Sequence, residues 1–145
     1  RIRINVNDDN RTDYTIDAVW NPTGQEGDSI TGGYFRDVSD PEGIENYIHK
    51  RNEFPGAITG MLFVFEEELK HSFWMQNMTI SLDIIWIDSE GVVVHIEKNV
   101  QPCVNNPCEI FAPNNSALYV LEVNSGIADK LDIQQGTTIK ISLNA

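Results

Sequence analysis

The sequence is short of basic residues, of cysteine and of long apolar runs, and it lacks the short motifs that hold nucleotides or metal ions. Ten Lys and Arg stand against 22 Asp and Glu, a formal net charge of −12. Such a surface repels a phosphate backbone instead of releasing its counterions, so nucleic acid is not an expected partner. The same balance disfavours an anionic membrane surface, and it stays compatible with a cationic ligand, a divalent ion or a neutral carbohydrate. No apolar run approaches the roughly 18 residues that a membrane-crossing helix requires, so no transmembrane segment is expected. There is no Gly-x-Ser-x-Gly elbow, no phosphate-binding glycine loop and no dinucleotide fingerprint. His49, His71 and His95 are too far apart to form a local metal motif, and no metal or cofactor is expected.

What is present fits one domain, residues 1–145, long enough to bury about two-thirds of its unfolded surface. The chain opens on Arg1 with neither an initiator Met nor the apolar stretch of a signal peptide. The expectation is an extracytoplasmic or secreted protein whose leader has been removed, although a cytosolic protein trimmed to its domain would read the same way.

Cys103 and Cys108 share the loop Gln101-Pro-Cys-Val-Asn-Asn-Pro-Cys. Two thiols cannot build a structural zinc site alone, and the spacing is not that of a Cys-x-x-Cys oxidoreductase. A local disulfide is the preferred reading, worth about 2 kcal/mol in the chain-entropy model and implying an oxidising compartment. Two free buried thiols are the alternative.

Along the chain, Arg1–Val6 alternates Arg with apolar residues and predicts a strand, with a weaker one at Tyr14–Trp20. Residues 21–33 are dense in turn formers and read as a long loop. A short strand at Tyr34–Val38 is followed by a helix of about 10 residues, capped by Ser39 or Asp40 with Pro41 in its first turn. Met61–Phe65 is an apolar run of strand length, broken by the acidic turn Glu66–Glu68. Leu82–Ile87 is apolar on both faces, and Asp88-Ser-Glu-Gly91 joins it to Val92–Ile96 as a hairpin. Leu118–Val123 predicts another strand, Ile127–Leu131 a short helix, and Thr138–Leu143 a terminal strand. Many short strands and two brief helices define a mainly β domain, a small barrel or sandwich.

Several motifs in order resemble one family: Gly60-Met-Leu-Phe-Val-Phe, Phe73-Trp-Met-Gln-Asn, Leu82-Asp-Ile-Ile-Trp-Ile-Asp, Gly91-Val-Val, Pro102-Cys103 and Tyr119-Val-Leu-Glu-Val-Asn-Ser-Gly126. This is the domain-of-unknown-function family 192, uncharacterised bacterial and archaeal proteins. The resemblance runs from about Tyr34 to the C-terminus, which marks 34–145 as the family-like core and 1–33 as added N-terminal strands and loop. Asp40-Pro-Glu-Gly, Arg51 and Phe54-Pro55 resemble the family's upstream motifs, with Tyr47 and His49 replacing a Gly and a Met. The resemblance implies a compact β domain, often with a signal peptide or lipoprotein leader, and no established reaction.

Two carboxylates stand out because they interrupt apolar strands. Glu122 shares a face with Leu118 and Val120, and Asp83 heads the Leu82–Ile87 run, so each needs a partner or a shifted pKa. Arg51 is the obvious counter-ion, and the Asn77 amide would complete a polar cluster. Trp74 faces away from Phe73 and Met75 in an extended segment, where it would stack on a sugar or another flat ligand or else join the core. Trp86 belongs to the core. Arg51, Trp74, Asn77, Asp83 and Glu122 are therefore the candidate ligand-binding residues. Three readings follow: a non-enzymatic binding module for a small molecule or glycan; a hydrolase or lyase using Asp83 and Glu122 as acid and base; or a structural accessory domain in which the charges form buried ion pairs.

Overall fold

The computed structural model describes residues 2–7, 13–16, 18–20, 29–31, 60–76 and 78–143. Among these residues the strands are β1 (Ile2–Val6), β2 (Asp13–Ile16), β3 (Ala18–Trp20), β4 (Ser29–Thr31), β5 (Gly60–Leu69), β6 (Ser72–Trp74), β7 (Leu82–Ile87), β8 (Val93–Val100), β9 (Ala117–Asn124) and β10 (Ile139–Leu143). One short helix, α1 (Ile127–Lys130), interrupts them. The domain is mainly β, as its composition of short strands predicts. The expected strand at Tyr34–Val38 and the expected helix after Ser39 lie outside the described residues, as do Arg51 and Asn77.

Five strands in the order β3-β5-β9-β7-β8 make the central sheet, antiparallel except where β3 runs parallel to β5. Its middle strands are apolar on both faces because both faces are covered. All six residues of β7 are buried. On one face Leu62, Ile85, Leu121 and Val123 pack with Ile4 and Val6 of β1, Ile139 of β10 and Ala128 of α1. Ile4, Val6 and Ile139 come from a three-stranded sheet, β10-β1-β2, stacked on the first. On the other face Met61, Phe63, Ile84, Trp86 and Val120 pack with Phe73, Met75 and Met78. The described strands are thus arranged in layers, and no closed barrel forms among them.

Trp86 shows why the second face is well specified. Its ring lies edge-on to Phe73 with centroids 5.8 Å apart, and Phe73 in turn meets Phe63 at 5.2 Å. Its indole N–H, fully buried, donates to the His71 carbonyl at 2.8 Å, so the largest core side chain leaves no polar group unsatisfied.

Three expectations change. Glu66, Glu67 and Glu68 do not form a turn: β5 continues through them to Leu69, which pairs with Ala117 after an irregularity in register. All three are exposed, and a strand end wet on both sides accommodates charges without breaking. The stretch Tyr14–Trp20 divides into β2, paired with β1, and β3, paired with β5. Within the expected loop 21–33, Ser29–Thr31 forms β4 parallel to β6, a strand too short to show a period.

The β7–β8 hairpin forms at Asp88–Gly91. The Asp88 carboxylate accepts the backbone N–H groups of Glu90 and Val92, both at 2.9 Å, and the Gly91 N–H donates to the Asp88 carbonyl. Gly91 sits at φ +87°, and a Cβ there would stand 2.7 Å from the Ile139 carbonyl oxygen. Its own carbonyl accepts the Ile139 N–H at 2.7 Å, so the hairpin tip is clipped to β10. Gly91→Ala combines a disfavoured backbone with a steric clash at this clip and is expected to destabilise the fold by about 2 kcal/mol, read from urea midpoints at unchanged m value.

Candidate functional site

Asp83 is 1% exposed, and its carboxylate is fully committed. Oδ1 accepts the Asn99 backbone N–H at 2.9 Å, while Oδ2 accepts those of Gly126 at 3.1 Å and Ala128 at 3.0 Å. The group therefore ties three pieces of backbone together: its own strand, the end of β8 and the start of α1. Charge-assisted bonds to backbone donors are what permit a carboxylate inside an otherwise apolar strand. Around it Asn99, at φ +54°, accepts from the Ser125 hydroxyl at 2.8 Å and from the Gln101 amide at 3.0 Å.

Glu122 is completely buried, but on the opposite face. In the ladder Glu122 stands between Met61 on β5 and Ile84 on β7, whereas Asp83 is opposite Val123. Adjacent positions on a strand point to opposite sides of the sheet. Glu122 therefore belongs with Met61, Ile84 and Val120, and Asp83 with Val123 and α1. The structure places the two carboxylates on opposite faces of the sheet, so the acid–base arrangement that was one of the three readings is not formed among the described residues. Their shared appearance in sequence, a charge inside an apolar run, hid a one-residue difference in register.

Trp74 lies on β6 opposite Thr31 of β4 and is half-buried. Its indole nitrogen is shielded from solvent yet has no acceptor among the described residues. Trp86, by contrast, is wholly in the core as expected. His71 is buried and stacked on Phe65 at 3.5 Å, donating from Nε2 to the Glu67 carbonyl. His95 donates from Nε2 to Glu97 at 2.9 Å. No group of three or more metal-ligating side chains occurs among the described residues.

Cys103 and Cys108 are joined as a disulfide with Cα atoms 5.6 Å apart, the pairing preferred from the sequence. The loop they close is held against β6: the Cys103 N–H donates to the Met75 carbonyl, and Phe73 and Phe111 exchange both backbone hydrogen bonds. Beside it opens a cavity of about 440 Å³. Its lining includes Met75, Glu97, Lys98, Gln101, Glu109 and Phe111, residues that sequence reasoning did not select. The available signal was a Pro- and Asn-rich cystine loop directly after a strand. Lys98 is bound to Asp129 at 2.7 Å, and that hydrogen bond, reinforced by the charges of Asp129, Asp83 and Asp132, raises the ammonium above its ordinary value of 10.5. A raised Lys98 pKa means that the contribution of its charge is constant through neutral pH and is lost as pH rises through the folded-state value, above 10.5.

These features define a layered β domain with polar groups built into both faces of its central sheet. The chain belongs to the DUF192 family, described as "Uncharacterized ACR", which matches residues 48–141. No curated protein matches it. Among solved structures it is similar to a protein of unknown function from Novosphingobium aromaticivorans DSM 12444, at 21% identity and TM-score 0.61, covering 95% of this chain and 83% of the other. It is also similar to a protein from Sinorhizobium meliloti 1021 provisionally named a transcription regulator, at 21% identity and TM-score 0.63, covering 96% and 92% of the two chains. At that identity the likeness establishes the fold. No described helix is long and apolar enough to cross a membrane.

Two outcomes test the structural assignments. Asp83→Asn puts an amide N–H₂ against at least one of the backbone donors it now accepts from and is expected to destabilise the protein by about 3 kcal/mol in urea denaturation; a solvent-facing carboxylate would change stability by about 0.5 kcal/mol or less. Replacing Cys103 and Cys108 together by Ser is expected to lower stability by about 2 kcal/mol with the sheet intact by circular dichroism.

Proposed function

We propose that the domain is a non-enzymatic, extracytoplasmic binding module for a small neutral ligand such as a glycan, held at Trp74 with Arg51 and Asn77 as its polar complement; Glu122 is left out because it is buried on the side of β6 that Phe73 and Met75 cover. The observation that carries this reading is the Trp74 indole N–H, shielded from water and without an acceptor among the described residues. A buried donor left without an acceptor is destabilising by about 1–3 kcal/mol, and a ligand hydroxyl or carbonyl at Trp74 would supply one.

Asp83 is left out of this set because its two oxygens serve backbone donors. A hydrolase or lyase relying on Asp83 and Glu122 is disfavoured for the same geometric reason, since paired carboxylates must face one cleft, typically about 5–10 Å apart. The disulfide supports an oxidising, extracytoplasmic location. A transcriptional role like that named for the Sinorhizobium meliloti protein would have to act without phosphate-backbone attraction, given the net charge of −12.

The test is a thermal-shift screen of neutral oligosaccharides on the wild type and on Trp74→Phe. The variant loses the N–H and keeps an aromatic ring, so its own stability is expected to stay within about 1 kcal/mol of wild type. A binding oligosaccharide is expected to raise the wild-type melting temperature and to bind the variant about 10-fold more weakly. A flat screen, or equal shifts in both proteins, supports a structural accessory domain instead.

A further inference from the structure

We infer that the cavity beside the cystine loop is a binding site for an alkylguanidinium cation, distinct from the Trp74 site. Trp74 and Glu122 are not among the residues that line it. Its volume of about 440 Å³ falls within the range of small-ligand pockets.

The chemistry of the lining selects the ligand. Its floor is apolar: Met75 and Val100 are buried members of the core, and Phe111 and Cys103 pack against the same cluster. Its rim is anionic. Glu109 is exposed and has no ion-pair partner among the described residues. Glu97 keeps one carboxylate oxygen beyond the Oε2 that accepts from His95, and its side chain is 34% exposed. The cation in the lining, Lys98, does not offset them, because its ammonium is held 2.7 Å from Asp129. An aliphatic stem on the floor with a positive head at the rim satisfies both parts. A guanidinium suits the head best, since its planar fork binds carboxylate oxygens in pairs and stacks on an aromatic ring such as Phe111. Anions are repelled by the same rim and by the net charge of the chain.

Such a head reaches the site either on a free small molecule or on the arginine side chain of a peptide, and calorimetric titration separates the two. The probes are 1-butylguanidinium, an end-blocked Gly-Arg-Gly peptide, and pentanoate as the anionic control. Expected is a dissociation constant of about 1 mM or tighter for butylguanidinium, no binding of pentanoate, and weakening of about 10-fold in Glu109→Gln and again in the Glu97→Gln, Glu109→Gln double variant. Glu109 is exposed and makes no bond among the described residues, so its variant folds and carries the test alone. A peptide that binds at least as tightly as butylguanidinium identifies a protein side chain as the source, and a peptide that fails to bind identifies a small molecule. Absence of binding by both cations up to about 10 mM, or equal affinity in wild type and double variant, overturns the proposal. Neither result bears on the oligosaccharide screen, which probes a different set of residues with an uncharged ligand.

Discussion

A strand buried on both faces cannot carry an unpaired charge, and β7 is such a strand with an aspartate in it. The arrangement of the described residues around Asp83 follows from that constraint. Three backbone N–H groups converge on its carboxylate, two from the turn that starts α1 and one from the end of β8. Because those donors belong to segments far apart in the chain, satisfying one side chain also fixes where β8 stops, where β9 turns and how α1 meets the sheet. The left-handed Asn99 and the side-chain bonds of Ser125 and Gln101 extend the same knot to the surface.

The central sheet consequently has two faces with different jobs. One face, holding Asp83, α1 and the β10-β1-β2 sheet, is organised by internal hydrogen bonds and apolar packing. The other holds Glu122 among Met61, Ile84 and Val120, with β6 and its aromatic residues laid across it. The Trp74 Nε1 of β6 has no acceptor among the described residues. The cystine loop is held to the same β6 through Met75 and Phe111. Both proposed ligand sites therefore sit around one short strand, β6.

Much of this was legible from the residues. The unbroken apolar run of β7, the glycine of the β7–β8 turn and the β-branched and aromatic character of β9 each have one sufficient local cause. Asp83 and Glu122 were recognisable as groups needing compensation, since a carboxylate in an apolar strand always does. What could not be read was the side each faces. That depends on the register between β7 and β9, set by packing across the whole sheet, and a shift of one residue exchanges the faces. The cavity was illegible for a related reason: Met75, Glu97, Glu109 and Phe111 come from three separate segments whose proximity is a tertiary fact. The continuation of β5 through three glutamates shows the converse, a local polar signal overridden because the strand's end is solvated.

Asp83 is an internal anchor and not an accessible functional carboxylate. Native-state amide hydrogen exchange measures this directly, because the Asn99, Gly126 and Ala128 N–H groups lie in turns or at strand ends where exchange is ordinarily fast. Bonded as described, they exchange only through large-scale unfolding, with protection comparable to Ile84, Ile85 and Leu121 in the central strands. Rapid exchange at all three, while the central strands remain protected, would contradict the anchor and return Asp83 to the candidate binding residues.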